Sequence, residues 1–112
     1  MKLYIKPLSV NKVWKGRRFK TDDYKTYEQT CLWLLSDYYN VPKDKITLYI
    51  KVGLSSKLAD LDNVAKPFID ILQKRYKFND NKIYRLIMEK EIVKKGEEYI
   101  EFKMEKYETD TD

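Results

Sequence analysis

The 112-residue chain contains no histidine and a single cysteine, Cys31, which excludes a histidine-based zinc site, a triad with a histidine base and an internal disulfide. With 43% hydrophobic and 37% charged residues, three Gly and three Pro, it has the profile of one ordered domain with its own core. The net charge of +5 is unevenly placed: residues 1–20 carry Lys2, Lys6, Lys12, Lys15, Arg17, Arg18 and Lys20 without one acid, and the remainder has sixteen basic against eighteen acidic residues. A segment of that kind suits contact with phosphates.

Lys2 to Lys6 alternates apolar and polar residues and predicts a short strand entering a turn at Pro7. Residues 9–20 have no clean period and read as a loop or irregular hairpin, in which Trp14 and Phe19 are interleaved with the positive charges and suited to stacking on bases. Thr21 or Asp22 can cap a helix with Asp22 and Asp23 in its first turn, ending near Asn40 and Pro42. Tyr24, Tyr27, Cys31, Leu34, Leu35 and Tyr38 recur along it at helical spacing and predict its buried stripe. Ile46, Leu48, Ile50 and Val52 alternate with Thr47, Tyr49 and Lys51 in the clearest strand, which Gly53 ends. A second helix is expected from about Val64 to Arg75, with Pro67 either in its first turn or distorting it. Residues 83–93 and Tyr99 to Lys106 predict two further strands joined by a turn at residues 94–97.

The expected fold class is α+β, a single-domain two-layer α/β sandwich. Its small mixed sheet follows the order β-α-β-α-β-β, with both helices on one face. The domain is expected to occupy residues 1–106, with residues 107–112 a polar C-terminal tail. No apolar stretch is long enough to span a membrane and no signal-peptide pattern is present, so the expected location is the cytoplasm.

Asp60, Asp62, Lys66, Asp70 and Asp80 gather carboxylates and one lysine within a basic chain. Aspartates beside a polyanion repel it unless a bound cation reverses the local sign, which points toward metal-assisted phosphodiester chemistry. Asp60 and Asp62 are two residues apart, so in an extended segment their side chains leave one face about 7 Å apart and can share a metal. An oxygen-only donor set suits Mg²⁺, with Mn²⁺ as a substitute, over zinc. Lys66, four residues from both Asp62 and Asp70, shares their helix face and can neutralise charge at the phosphate. The plainer alternative makes Asp62 or Asn63 a helix cap and Lys66 with Asp70 a solvated ion pair. A cap accounts for only one of the two leading carboxylates. Asp80 follows a helix that carries the chain about 16 Å from Asp60. It therefore reaches the cluster within one chain only if residues 76–80 double back at once, with Phe78 and Ile83 as apolar anchors. Otherwise it acts across a dimer.

Asp60-Leu61-Asp62-Asn63, Lys66, Asp70-Ile71-Leu72 and Phe78-Asn79-Asp80-Asn81-Lys82-Ile83, with Pro7-Leu8-Ser9-Val10-Asn11-Lys12 before them, resemble the motifs of the RusA-type Holliday junction resolvases. The resemblance covers most of the chain in the right order. It implies a homodimeric, Mg²⁺-dependent endodeoxyribonuclease, common in phages and prophages, that resolves four-way junctions by paired nicks in recombination and repair. It assigns Asp60, Asp62 and Asp80 to the metal and Lys66 to catalysis, with Asn63 and Asp70 as possible supporting residues. Where the family often has two adjacent acids this chain has Asn79 before Asp80, which keeps an oxygen and loses a charge. The expected DNA-binding residues are Lys12, Trp14, Lys15, Arg17, Arg18 and Lys20, with Trp14 the aromatic expected to enter the junction centre. No small-molecule cofactor is expected. The competing expectations are a DNA-binding module without catalysis and a metal-dependent nuclease for another branched DNA, such as a flap or fork.

Overall fold

The computed structural model describes residues 1–16 and 19–109. In chain order it contains β1 (Lys2–Leu3), a 3₁₀ turn at Val10–Lys12, β2 (Trp14–Lys15), β3 (Phe19–Lys20), α1 (Asp22–Leu34), β4 (Ile46–Leu54) and α2 (Leu61–Tyr76). A second 3₁₀ turn at Asp80–Lys82, β5 (Ile83–Ile92) and β6 (Tyr99–Lys106) complete it. Four strands form one mixed sheet in the order β1-β6-β4-β5, in which β4 and β5 are parallel and the other neighbours antiparallel. The expected β-α-β-α-β-β order is therefore present, and the segment read as a loop or irregular hairpin forms the small antiparallel pair β2–β3.

Strand β4 is the centre of the sheet. Its alternation places Ile46, Leu48, Ile50, Val52 and Leu54 in the core and leaves Tyr49 and Lys51 half-exposed on the opposite face. The same core takes Ile100, Phe102 and Met104 from β6, Tyr27, Cys31 and Leu35 from the α1 region, and Val64, Phe68, Ile71 and Leu72 from α2. Phe68 and Phe102 meet edge-on at 5.8 Å between ring centroids. On the open face Gly53 lies beneath the Tyr99 ring, where an added Cβ would come within 2.4 Å of the ring carbons.

Two helix boundaries differ from expectation. Helix α1 stops at Leu34 rather than near Asn40, and Tyr38, expected in the buried stripe, is 76% exposed. The end of α2 supplies the reason. Arg75 donates to the carbonyls of Leu35 and Ser36 and reaches Asp37 at 2.6 Å, while the Tyr76 hydroxyl donates to the Ser36 carbonyl. Groups that another turn of α1 would have used are thus satisfied by its neighbour. Helix α2 begins at Leu61 and contains Pro67 as a buried interior residue. A proline there removes a backbone donor at a cost of about 3 kcal/mol. Burial of Val64, Phe68, Ile71 and Leu72, each worth about 1.5–3 kcal/mol, more than offsets it.

Candidate active site

The loop between β4 and α2 is fixed from two directions. Ser56 accepts the Leu58 N–H, and the Lys90 ammonium on β5 donates to the Lys57 carbonyl at 3.2 Å and the Ala59 carbonyl at 3.0 Å. Asp60 follows as the N-cap residue of α2, with extended backbone angles, but its carboxylate makes no capping bond. Among the described residues its side chain meets Asn63 Nδ2 at 3.5 Å. Asp62 lies exposed in the first helical turn and makes no side-chain hydrogen bond or ion pair with any described residue. Capping therefore explains neither carboxylate. Both stand at the positive end of the helix dipole.

The chain turns back directly after α2. Lys77 adopts the left-handed conformation (φ 57°), its N–H donates to the Gln73 carbonyl, and Phe78 and Ile83 pack against the margin of the core. The Gln73 side chain fixes the returning segment. Its Oε1 accepts the Asp80 N–H at 2.8 Å, while its Nε2 donates to Asp70 Oδ1 at 3.4 Å and to the Ile69 carbonyl at 3.5 Å. Asp70 and Asp80 thereby flank Lys66, whose ammonium lies 2.8 Å from Asp70 Oδ1 and 3.5 Å from Asp80 Oδ2. The Asp70 hydrogen bond holds the Lys66 ammonium above the ordinary lysine range, so at neutral pH Lys66 is a cation and not a base. Asn79 spends its side-chain oxygen locally, accepting the Asn81 N–H at 2.9 Å as the cap of the 3₁₀ turn.

The doubling back anticipated for residues 76–80 therefore occurs within one chain, and it delivers Asp80 to Lys66. Among the described residues no three acidic side chains come together as a ready metal cluster. The site is instead a forward pair, Asp60 and Asp62, and a lysine held between Asp70 and Asp80. Two carboxylates whose oxygens are almost free of protein partners fit a hard divalent cation, which takes one or two carboxylates and fills its remaining positions with water and phosphate oxygens.

The basic segment is tied to the same scaffold. Pro7 is buried, and Ser9 accepts the Asn11 N–H at the start of the Val10–Lys12 turn. Thr21 accepts the Tyr24 N–H as the cap of α1, its hydroxyl donates to the Lys12 carbonyl, and its own N–H donates to the Val13 carbonyl. The Lys20 ammonium lies between two rings, 4.7 Å from the Trp14 centroid and 4.1 Å from that of Tyr24. Lys12 and Lys15 are exposed, as are Trp14 at 50% and Phe19 at 71%. Arg17 and Arg18 lie outside the described residues. A groove of about 550 Å³, lined in part by Ser9, Lys12, Ser55, Ser56 and Ala59, runs from this segment to the loop that carries Asp60.

Gln73, Lys90 and Tyr24 were not singled out from the sequence. A glutamine on a helix and a lysine on a strand carry no spacing signal, and their roles arise from contacts 7 to 33 residues away along the chain. The spacing of Tyr24 marks it only as part of a buried stripe.

No curated protein gives a significant match to the chain. Comparison with protein families matches residues 7–105 to the one described as endodeoxyribonuclease RusA, a span containing the Pro7–Lys12 turn, the Asp60–Asp62 pair, Lys66, Asp70 and Asp80. The chain belongs to the RusA family of Holliday junction-resolving endodeoxyribonucleases.

Proposed function

We propose that this protein resolves four-way DNA junctions as a homodimer, by paired hydrolytic nicks that depend on a divalent metal. The observation that carries the reading is the Lys66 ammonium held between Asp70 and Asp80, one helical turn beyond Asp62, whose carboxylate has no partner among the described residues. Asp60 and Asp62 would hold Mg²⁺ or Mn²⁺, with the Asn63 amide next to Asp60, while Asp80 stands at Lys66, apart from the pair. Such an ion, when bound, polarises the scissile phosphate and lowers the pKa of an attacking water. Lys66 offers its positive charge to the oxygens that gain negative charge as the phosphodiester breaks. Asp70 keeps that lysine protonated and oriented. Lys12, Lys15 and Lys20, with Arg17 and Arg18, supply charge for the phosphate backbone, and Trp14 and Phe19 supply stacking surface. Two such sites related by a two-fold axis match a junction that is itself nearly two-fold symmetric. The protein would do this in a bacterial cytoplasm, on DNA of a host or a resident phage; among the described residues no helix is long and apolar enough to cross a membrane.

Cleavage of a labelled four-way junction, a flap and a matched linear duplex tests this, with Mg²⁺, with Ca²⁺, and with Asp62→Asn. Symmetric cutting of the junction with Mg²⁺ alone, lost in the variant while binding persists, is the expected result. Preferential cutting of the flap makes the protein a nuclease for another branch. Binding without cutting under Mg²⁺ or Mn²⁺ reduces it to a DNA-binding module.

A further inference from the structure

Strands β4 and β5 are parallel neighbours joined through α2, so the loop that opens this crossover leaves from their carboxyl ends, Leu54 and Ile92. Open α/β sheets hold their ligands at the carboxyl ends of parallel strands. Within β5, Leu86, Met88 and Lys90 stand in register with Leu48, Ile50 and Val52 of β4. Those three β4 residues are core residues, so this row of β5 faces the helices, and Lys90 is the one charge in a row of Leu86, Met88 and Ile92. Its ammonium goes to the loop. It donates to the Lys57 carbonyl at 3.2 Å and to the Ala59 carbonyl at 3.0 Å, the latter belonging to the peptide that joins Ala59 to Asp60. The remaining hydrogen bonds of residues 56–59 are internal, from the Leu58 N–H to the Ser56 hydroxyl and from the Ala59 N–H to the Ser56 carbonyl. Among the described residues, Lys90 alone ties this turn to the sheet by hydrogen bonds. Ala59 packs on the margin of the core, but Leu58 at the tip is 91% exposed. Asp60 makes no capping bond of its own, so the preceding peptide sets where its carboxylate stands.

We propose that Lys90 is a positioning residue for the metal site: through the carbonyls of Lys57 and Ala59 it fixes the place of the Asp60 carboxylate and so governs affinity for the divalent cation. The proposal deepens the resolvase reading and rests on it for the metal. It also has a sign that charge alone would reverse. An ammonium close to a cation site repels the cation, so removing it tightens metal binding if repulsion is all it contributes. If Lys90 holds Asp60 in place, removing it loosens metal binding instead.

Mn²⁺ binding to the full chain without DNA, read from loss of the free ion's paramagnetic resonance signal, tests this apart from cutting. Lys90→Met keeps the aliphatic stem and removes the donors; it should weaken Mn²⁺ binding about tenfold, the scale on which the partners that orient metal ligands act. Lys90→Arg, whose forked donors can serve two carbonyls, should return to within about threefold of the parent. Lys51→Met removes a β4 ammonium that makes no hydrogen bond to the loop, and it should not weaken binding. In an Asp60→Asn chain, itself weakened, Lys90→Met should add no further loss, because both changes act through one carboxylate. Tighter or unchanged binding in Lys90→Met, a failed rescue by arginine, or an undiminished loss in the Asp60→Asn background would each overturn the proposal. Junction cutting by the same samples separates it from the resolvase reading. Lys90-dependent Mn²⁺ binding in a chain that cuts no junction leaves the positioning role standing alone, and a chain that cuts junctions while its Mn²⁺ affinity ignores Lys90 does the reverse. A parent that binds no Mn²⁺ removes both the metal and the role given to Lys90.

Discussion

The side chain of Gln73 and the backbone of Asp80 are joined by a 2.8 Å hydrogen bond that fastens the segment after α2 back onto the helix. The same amide touches Asp70, so one uncharged residue sets the spacing between the two carboxylates that flank Lys66. Gln73→Ala should lower kcat for junction cutting about ten- to a hundredfold, the scale of a small misplacement at a reacting centre, with little change in KM. Unaltered kcat with a lowered melting temperature would reduce Gln73 to a structural staple.

Lys66 should titrate above the ordinary lysine value because the Asp70 hydrogen bond favours its charged form. The sign follows: the pairing supports the folded chain below the unfolded lysine pKa and fades as pH rises through the higher folded one. The ammonium is more than half exposed, so this is a minor contribution to stability. Its main consequence is the charge state at the site. Nuclear magnetic resonance of the lysine side chains should show Lys66 titrating above the ordinary lysine value, and Asp70→Asn should bring it down. No difference between the two proteins would remove Asp70 from the role given to it.

In the β2–β3 pair, Lys20 between Trp14 and Tyr24 has a holding function, whereas Phe19 is 71% exposed. Phe19→Ala should therefore weaken junction binding by about 1–3 kcal/mol, the scale of one base stacked on a ring, without altering the fold. Trp14→Ala should weaken binding and also loosen the β2–β3 pair, which amide exchange at residues 13–15 and 19–21 would register. Full affinity and cutting in Trp14→Ala would exclude that ring from the junction centre.

Gly53→Ala should destabilise the protein by about 1–3 kcal/mol, since its Cβ would collide with the Tyr99 ring. Thermal unfolding should show a drop of roughly 4–8 °C per kcal/mol for a domain near this size. Adding Tyr99→Leu should recover part of the loss if the collision is the cause.

The alternating residues of β4 and β6 identify both strands from the sequence because each buries one face only, and period two survives in such strands. Strand β5 was located within one residue despite a weaker pattern. The end of α1 was not legible. It is decided by Arg75 and Tyr76, about forty residues away, whose contacts leave no mark near Asn40. Pro67 misled in the other direction, because the local cost of a proline is visible in sequence and the compensating burial is not. At the site, the spacing of Asp62, Lys66 and Asp70 gave their common helix face. That Asp80 would settle beside Lys66, apart from the forward pair, required the left-handed Lys77 and the Gln73 clamp.

The pairing of Lys2 with Glu101 and Leu3 with Ile100 has a consequence for how the molecule is made. The first strand has no place to dock until the last one exists. At about 5–20 residues per second on the ribosome, that interval is on the order of ten seconds. For most of it the seven positive charges of residues 1–20 are already synthesised, while β5 and β6, which flank the central strand, are incomplete. The nascent chain can thus grip nucleic acid before it owns a finished blade.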